Sequence, residues 1–251
     1  MSKVWVGLSA LLAMGLGGSL FLNMRLFNHA AHYYRELNKT QLDPLGLDEY
    51  PINADHSTAS QKPRLVFLGD SRVAGWPFPA SDRYEFINRG IGGQTSVQVS
   101  QRFDQHVRSL QPDAVLIQVC INDLKAMGLF PNRADAIVAN CKANIQKMIE
   151  ASKEVEAIVI LTTIFPVGSV PLERQPFWSE AIGEAVEEVN DDLLALADDQ
   201  VIVLDTVAIL ADSEGQLLPE YSKDELHLNA QGYAALNDEL TRLLATDPRV
   251  L

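Results

Sequence analysis

The chain has 251 residues, with 20 basic side chains against 33 acidic ones and a net charge of −13. Its 47% hydrophobic and 21% charged residues are those of a folded globular protein, long enough for one large domain or one domain with appendages. So acidic a surface repels phosphate backbones, which argues against a nucleic-acid partner, and two cysteines, Cys120 and Cys141, supply neither a disulfide scaffold nor zinc-ligand spacing.

Val4 to Leu22 run for nineteen positions without a charge, flanked by Lys3 and Arg25. As a helix this segment covers roughly the ~30 Å hydrocarbon core of a bilayer. Its length exceeds the usual ~7–15 apolar residues of a signal peptide, and His29-Ala30-Ala31 is only a weak cleavage site, so an uncleaved anchor over residues 1–27 is the favoured reading. Lys3 and the amino terminus oppose Arg25, Arg35 and Lys39, so the positive charges nearly balance across the span. The rest of the chain is expected on the extracytoplasmic side, or secreted if the segment is cleaved.

Residues 28–62 are mixed and polar, with Asp43-Pro44, Leu45-Gly46 and the run Asn53 to Ser60, and read as a tether with a short helix at Ala31–Leu37. His29, His32 and His56 lie in it and read as solvated. No catalytic candidate precedes Ser71, so a chain beginning near residue 60 is expected to be soluble and active.

From residue 63 to 251 the pattern alternates. Arg64–Leu68, Tyr84–Asn88, Ala114–Val119, Ala157–Leu161 and Val201–Leu204 are short, apolar and rich in β-branched residues, as parallel strands covered on both faces are. Between and after them lie helical stripes: Ile137, Cys141, Ile145, Met148 and Ile149; Ile182, Val186, Val189, Leu193 and Leu196; and Tyr233, Leu236, Leu240 and Leu243. This order predicts an α/β fold, a doubly wound sandwich on a five-stranded parallel sheet, with ligands beyond the carboxyl ends of the strands.

Four short blocks occupy such positions: Gly69-Asp70-Ser71-Arg72, Gly90-Ile91-Gly92-Gly93, Cys120-Ile121-Asn122-Asp123 and Asp224-Glu225-Leu226-His227. A serine hydroxyl is a poor nucleophile until a base takes its proton, and the usual base is a histidine held by a carboxylate. Outside the tether the histidines are His106 and His227. His106 falls in a helical stretch, Ser96–Leu110, whose stripe is Val99, Phe103, Val107 and Leu110, and is expected to face solvent. His227 lies in a loop before a helix, with Asp224 in reach of its Nδ1. Oxyanion donors are then available from the Ser71 backbone N–H, from the loop at Gly93 and from the side-chain amide of Asn122.

In this order the blocks resemble the SGNH (GDSL-type) hydrolase family over about Arg64 to Leu244. Carried over by position, Ser71, Asp224 and His227 resemble the catalytic triad, and Ser71, Gly93 and Asn122 the oxyanion hole. The resemblance implies a flavodoxin-like sandwich, no metal or organic cofactor, and hydrolysis of esters or thioesters through an acyl-enzyme. Two positions depart from the pattern. Cys120 replaces a glycine two residues before Asn122, which raises the expectation of a narrowed pocket or a displaced Asn122. Arg72 replaces the leucine of the first block, a change read as minor.

Trp76 and Phe78 after the first block, and Phe165 and Trp178 around the loop after the fourth strand, are candidates for an apolar acyl pocket, the second loop as a lid. Cys141 on a core-facing stripe and Cys120 at a strand end both read as free and buried. The expected activity is that of a membrane-tethered serine esterase acting on a small-molecule, lipid or acyl-glycan ester. Acyl transfer to a sugar hydroxyl and a lapsed domain that binds a carbohydrate or partner are the alternatives.

Overall fold

The structure is a computed structural model that describes residues 2–50 and 62–250. His56 and the run Asn53 to Ser60 lie outside the described residues. The chain divides into two compact units, Met1–Pro44 and Leu45–Leu251.

The first unit is a single helix, α1 (Ser2–Leu42), whose side chains are largely exposed. Its 18-residue apolar window has mean hydropathy 1.8, so it is long and apolar enough to cross a membrane, a property signal sequences share. The short helix expected at Ala31–Leu37 is part of this continuous one.

In the second unit, β1 (Arg64–Gly69), α2 (Ser71–Ala74), β2 (Glu85–Gly90), α3 (Ser96–Gln101) and α4 (Phe103–His106) come first. They are followed by β3 (Ala114–Gln118), α5 (Ile121–Leu124), α6 (Ala134–Glu154) and β4 (Ile158–Thr162). The chain closes with α7 (Ala181–Leu194), β5 (Val201–Leu204), α8 (Val207–Leu210) and α9 (Ala230–Thr246). The five strands form one parallel sheet in the order β2-β1-β3-β4-β5, as the apolar runs predict.

Side chains alternate across a strand, so both faces of each run are apolar for different partners. Val66, Leu68, Val115, Ile117, Val159 and Leu161 pack on one face with Val99 of α3, Cys141 and Ile145 of α6 and Val189 of α7. Leu65, Phe67, Leu116 and Ile160 pack on the other with Val73 of α2 and Leu236 and Leu240 of α9. The chain reverses its direction of travel along the sheet between β1 and β3, which opens a crevice above their carboxyl ends.

Two expectations are corrected here. His106 is 1% exposed, not solvated. It stands seven residues after Val99 and three after Phe103, so it shares their buried face, and the helix breaks at Arg102 between α3 and α4. Cys120 and Cys141 are not free but joined in a disulfide, with Cα atoms 5.8 Å apart. Because β3 and β4 are parallel, α6 runs back from the carboxyl end of β3 towards the amino end of β4, and its core face brings Cys141 to the strand end at Cys120, a contact that no local pattern announces. The loop it closes spans 21 positions. Chain-entropy reasoning then gives a stabilisation of about 3 kcal/mol. Replacing both cysteines with alanine is expected to lower the denaturant midpoint accordingly, and reducing the unaltered protein to lower it comparably.

Candidate active site

Ser71 opens α2 directly after β1, and Asp70 caps that turn by accepting from the Arg72 backbone N–H at 2.9 Å. Burial pushes the Asp70 carboxyl up to about 6, against the pull of the neighbouring Arg72. Asn88 at the end of β2 holds the turn from outside, its Nδ2 donating to Val73 O at 2.8 Å.

The Ser71 hydroxyl lies 2.9 Å from His227 Nε2, and His227 Nδ1 lies 2.9 Å from both carboxylate oxygens of Asp224. An ionised carboxylate only accepts, so Nδ1 carries the proton and Nε2 is left to accept from Ser71. Burial raises the Asp224 pKa, but hydrogen bonds from the Leu226 and His227 backbone N–H groups and from the imidazole outweigh it and hold the carboxyl below its ordinary range. Asn229 fixes the following helix: its Oδ1 accepts from the Gln231 and Gly232 N–H groups while its Nδ2 donates to Glu220 O and Ser222 O. That cap anchors the loop carrying His227.

The second and third blocks meet beside Ser71. A Cβ on Gly92 would stand 3.9 Å from Ser71 Cβ, which places this turn against the serine. Gly93 has φ +77°, a conformation that favours glycine, with open space where a side chain would be. Asn122 is buried and its Nδ2 donates to Gln94 O at 2.9 Å, which leaves the second amide hydrogen for another acceptor. Asp123 bolts the two blocks together, its carboxylate accepting from the Ser96 N–H at 2.8 Å and the Ser96 hydroxyl at 2.7 Å.

Cys120 has a left-handed backbone, at φ 92°, a conformation that favours glycine. Its side chain is committed to the disulfide with Cys141 in the core, so the narrowed pocket expected at this position is not what the structure contains.

Arg72, read from sequence as a minor departure, is 0% exposed. Its Nε donates to Leu226 O at 2.8 Å and its Nη1 to Phe165 O at 3.2 Å, with the guanidinium carbon 5.0 Å from the centre of the Phe165 ring. It thus joins the serine turn to the histidine loop. Burial lowers its pKa to about 10, which leaves it cationic at neutral pH.

The aromatic residues expected to line an acyl pocket divide. Trp76 and Phe165 are core residues packed edge-on, and Trp76 Nε1 donates to Asn237. Phe78, 41% exposed, stacks on Phe86. Trp178 borders a cleft of about 500 Å³ with Val167, Gly168 and Gly215. The loop after β4 is tied down, Gly168 N donating to Glu225 O at 3.0 Å and Arg174 pairing with Glu225 at 3.4 Å. A larger cleft of about 840 Å³ opens at the amino ends of the strands, around Arg64, Ala114 and Ile158, away from the serine. Among the described residues no group of His, Cys, Asp and Glu is placed to hold a metal ion.

A doubly wound parallel sheet with a serine, a histidine and a carboxylate linked beyond its carboxyl edge is the arrangement of an ester hydrolase. Residues 67–235 match the GDSL-like Lipase/Acylhydrolase family, and the chain belongs to it. Among solved structures, it is similar to a GDSL-like lipase from Bacteroides thetaiotaomicron at 24% identity, over 80% of this chain and 98% of that one, with a TM-score of 0.66. It also resembles a catalytic mutant of an acetylxylan esterase from Geobacillus stearothermophilus at 19% identity, over 74% and 95% of the two chains, with a TM-score of 0.53. No curated protein gives a significant match.

Proposed function

We propose that the protein is a membrane-tethered serine esterase that cleaves carboxylic esters or thioesters of a lipid, glycan or other small molecule through an acyl-enzyme. The observation that carries this reading is the unbroken chain from Ser71 Oγ through His227 to Asp224, at 2.9 Å for each link. Ser71 Oγ attacks the acyl carbon while His227 Nε2 takes its proton. The charge that develops on the carbonyl oxygen faces the N–H groups of Ser71 and Gly93 and the second N–H of Asn122. His227 then protonates the leaving alcohol oxygen, the C–O bond breaks, and the acyl group remains on Ser71. Water, giving its proton to His227, releases the acid and returns the hydroxyl to Ser71. Asp224 supports the imidazolium throughout. Trp76 and Phe165, being core residues, take no part in holding the acyl group.

A fluorophosphonate probe tests the reading: it is expected to label Ser71 in the native protein and nothing in Ser71→Ala. Labelling elsewhere, or none, would remove the serine mechanism.

For location, α1 supports an anchor and the Cys120–Cys141 disulfide supports an oxidising compartment, hence a hydrolase domain outside the cytoplasm. Full-length protein is expected to stay in the membrane fraction after a carbonate wash. Recovery of a processed form starting after Leu22 would establish a cleaved signal instead.

A further inference from the structure

Residues 45–50, which the polar composition assigns to a tether, are packed on the loop that carries Gly93. Gln94 is the centre of this contact. Its Nε2 donates to Leu45 O at 2.8 Å, its Oε1 accepts from Arg102 Nε at 2.6 Å, and its backbone carbonyl accepts from Asn122 Nδ2 at 2.9 Å. Gln94 and Arg102 are both buried. Arg102 reaches on to Gly69 O at 2.9 Å, the residue two before Ser71, and to His106 Nδ1 at 3.1 Å. A guanidinium only donates, so His106 Nδ1 accepts and its proton sits on Nε2, which faces Leu47 O at 3.4 Å. Tyr50 holds the other end of the loop: its hydroxyl donates to Gly90 O at 2.7 Å, and the Arg89 guanidinium lies 4.7 Å from its ring centre. Gly46 makes the close approach possible. It has φ +68°, and a Cβ there would stand 2.8 Å from Ile91 Cδ1 and 3.0 Å from Gln94 Nε2.

Resting on the reading of Gly93 and Asn122 as oxyanion donors, we propose that Leu45–Tyr50 is a positioning element of the esterase site, acting through Gln94. One Asn122 N–H is spent on Gln94 O, and that bond sets the plane of the amide and therefore the direction of the other N–H. Gln94 is in turn fixed between Leu45 O and Arg102. If Leu45 withdraws, a buried amide N–H is left without a partner, which costs enough for the glycine-rich turn to shift toward another acceptor. A shifted donor weakens binding of the oxyanion more than binding of the substrate, so the loss falls on kcat. Gln94 touches no reacting atom; it acts through Asn122. The element begins three residues after Leu42, the last residue of α1, so the part of the chain ahead of residue 60 is not dispensable for catalysis.

The test uses the full-length chain in detergent with p-nitrophenyl acetate. Gln94→Glu keeps an acceptor for Arg102 but sets a carboxylate oxygen against Leu45 O, where neither donates. Gly46→Ala forces a side chain into Ile91 and Gln94. Each is expected to lower kcat about 10- to 100-fold, with KM within about twofold. Affinity for a boronic acid that forms a tetrahedral adduct is expected to fall by the same factor as kcat. The double variant is expected to be no worse than the weaker single one, because both release one contact. Tyr50→Phe removes a single hydroxyl and is expected to lower kcat severalfold with an unchanged melting temperature, which carries the test if a stronger variant does not fold. Full kcat in the folded variants, losses that multiply in the double variant, or a loss carried by KM would each overturn the proposal. Ser71→Ala in the same chain separates the two readings: if it keeps turnover, the serine mechanism fails; if it abolishes turnover while Gln94→Glu is fully active, only the positioning role fails.

Discussion

Ser71→Ala and His227→Ala are each expected to reduce kcat by about 10⁴- to 10⁶-fold, and the double variant by little more. The reason is that in the proposed mechanism the two residues act in one step. Without the hydroxyl, His227 has no proton to take. Without the imidazole, a hydroxyl that ionises far above neutral pH stays protonated and attacks poorly. The 2.9 Å contact between them is the geometry on which that expectation rests. Asp224→Ala is expected to be milder, since Nε2 of His227 still accepts and only orientation and charge support are lost. Ser71, His227 and Asp224 stand at a partly open edge of the sheet, outside the two apolar clusters, so circular dichroism and melting temperature should be little altered. Steady-state kinetics on a p-nitrophenyl ester measures the set. Substantial esterase turnover by folded Ser71→Ala would show that the nucleophile is another residue.

Asn122→Ala is expected to lower kcat by about 10²- to 10³-fold with little change in KM. Its side chain is buried, and the hydrogen bond from Nδ2 to Gln94 O already fixes its direction, so it costs no reorganisation when the oxyanion forms. The same bond complicates a simple deletion, because alanine also frees the Gln94 carbonyl. Asn122→Asp sharpens the test. It keeps the shape but offers an acceptor where a donor is needed, and is expected to be at least as damaging as alanine. A rise in KM with kcat preserved would mean that Asn122 binds the ground state and that the oxyanion is held by backbone N–H groups alone.

Much of this was legible in the linear chain because it depends on local order. A parallel strand covered on both faces must be an apolar run, and a helix facing one layer must carry a stripe. All five strands and the stripes on α6, α7 and α9 are found where those rules put them. The four blocks could be placed because a doubly wound sheet delivers the ends of its strands to one edge, whatever the sequence between them. His106 shows where a local reading stops. The stripe of Val99, Phe103, Val107 and Leu110 was read as leaving it to solvent, yet it is buried, with partners in Arg102, Tyr50 and Leu47, the last of them 59 positions away.

The sequence by itself determined the sheet, its flanking helices, the long apolar helix at the amino terminus and the identity of the residues that meet at the carboxyl edge. Periodicity and chain order are enough for those. Tertiary structure alone decided that Cys120 turns to Cys141, that Arg72 ties the serine turn to the histidine loop, and that residues 45–50 hold Gln94. Each of these depends on a buried polar or sulfur atom finding its partner across a long separation in sequence, 49 positions for Leu45 and Gln94 and 154 for Arg72 and Leu226. Nothing in a local pattern specifies such a partner. It is selected when the layers pack, because a buried donor left unmatched would cost more than the ordering needed to satisfy it.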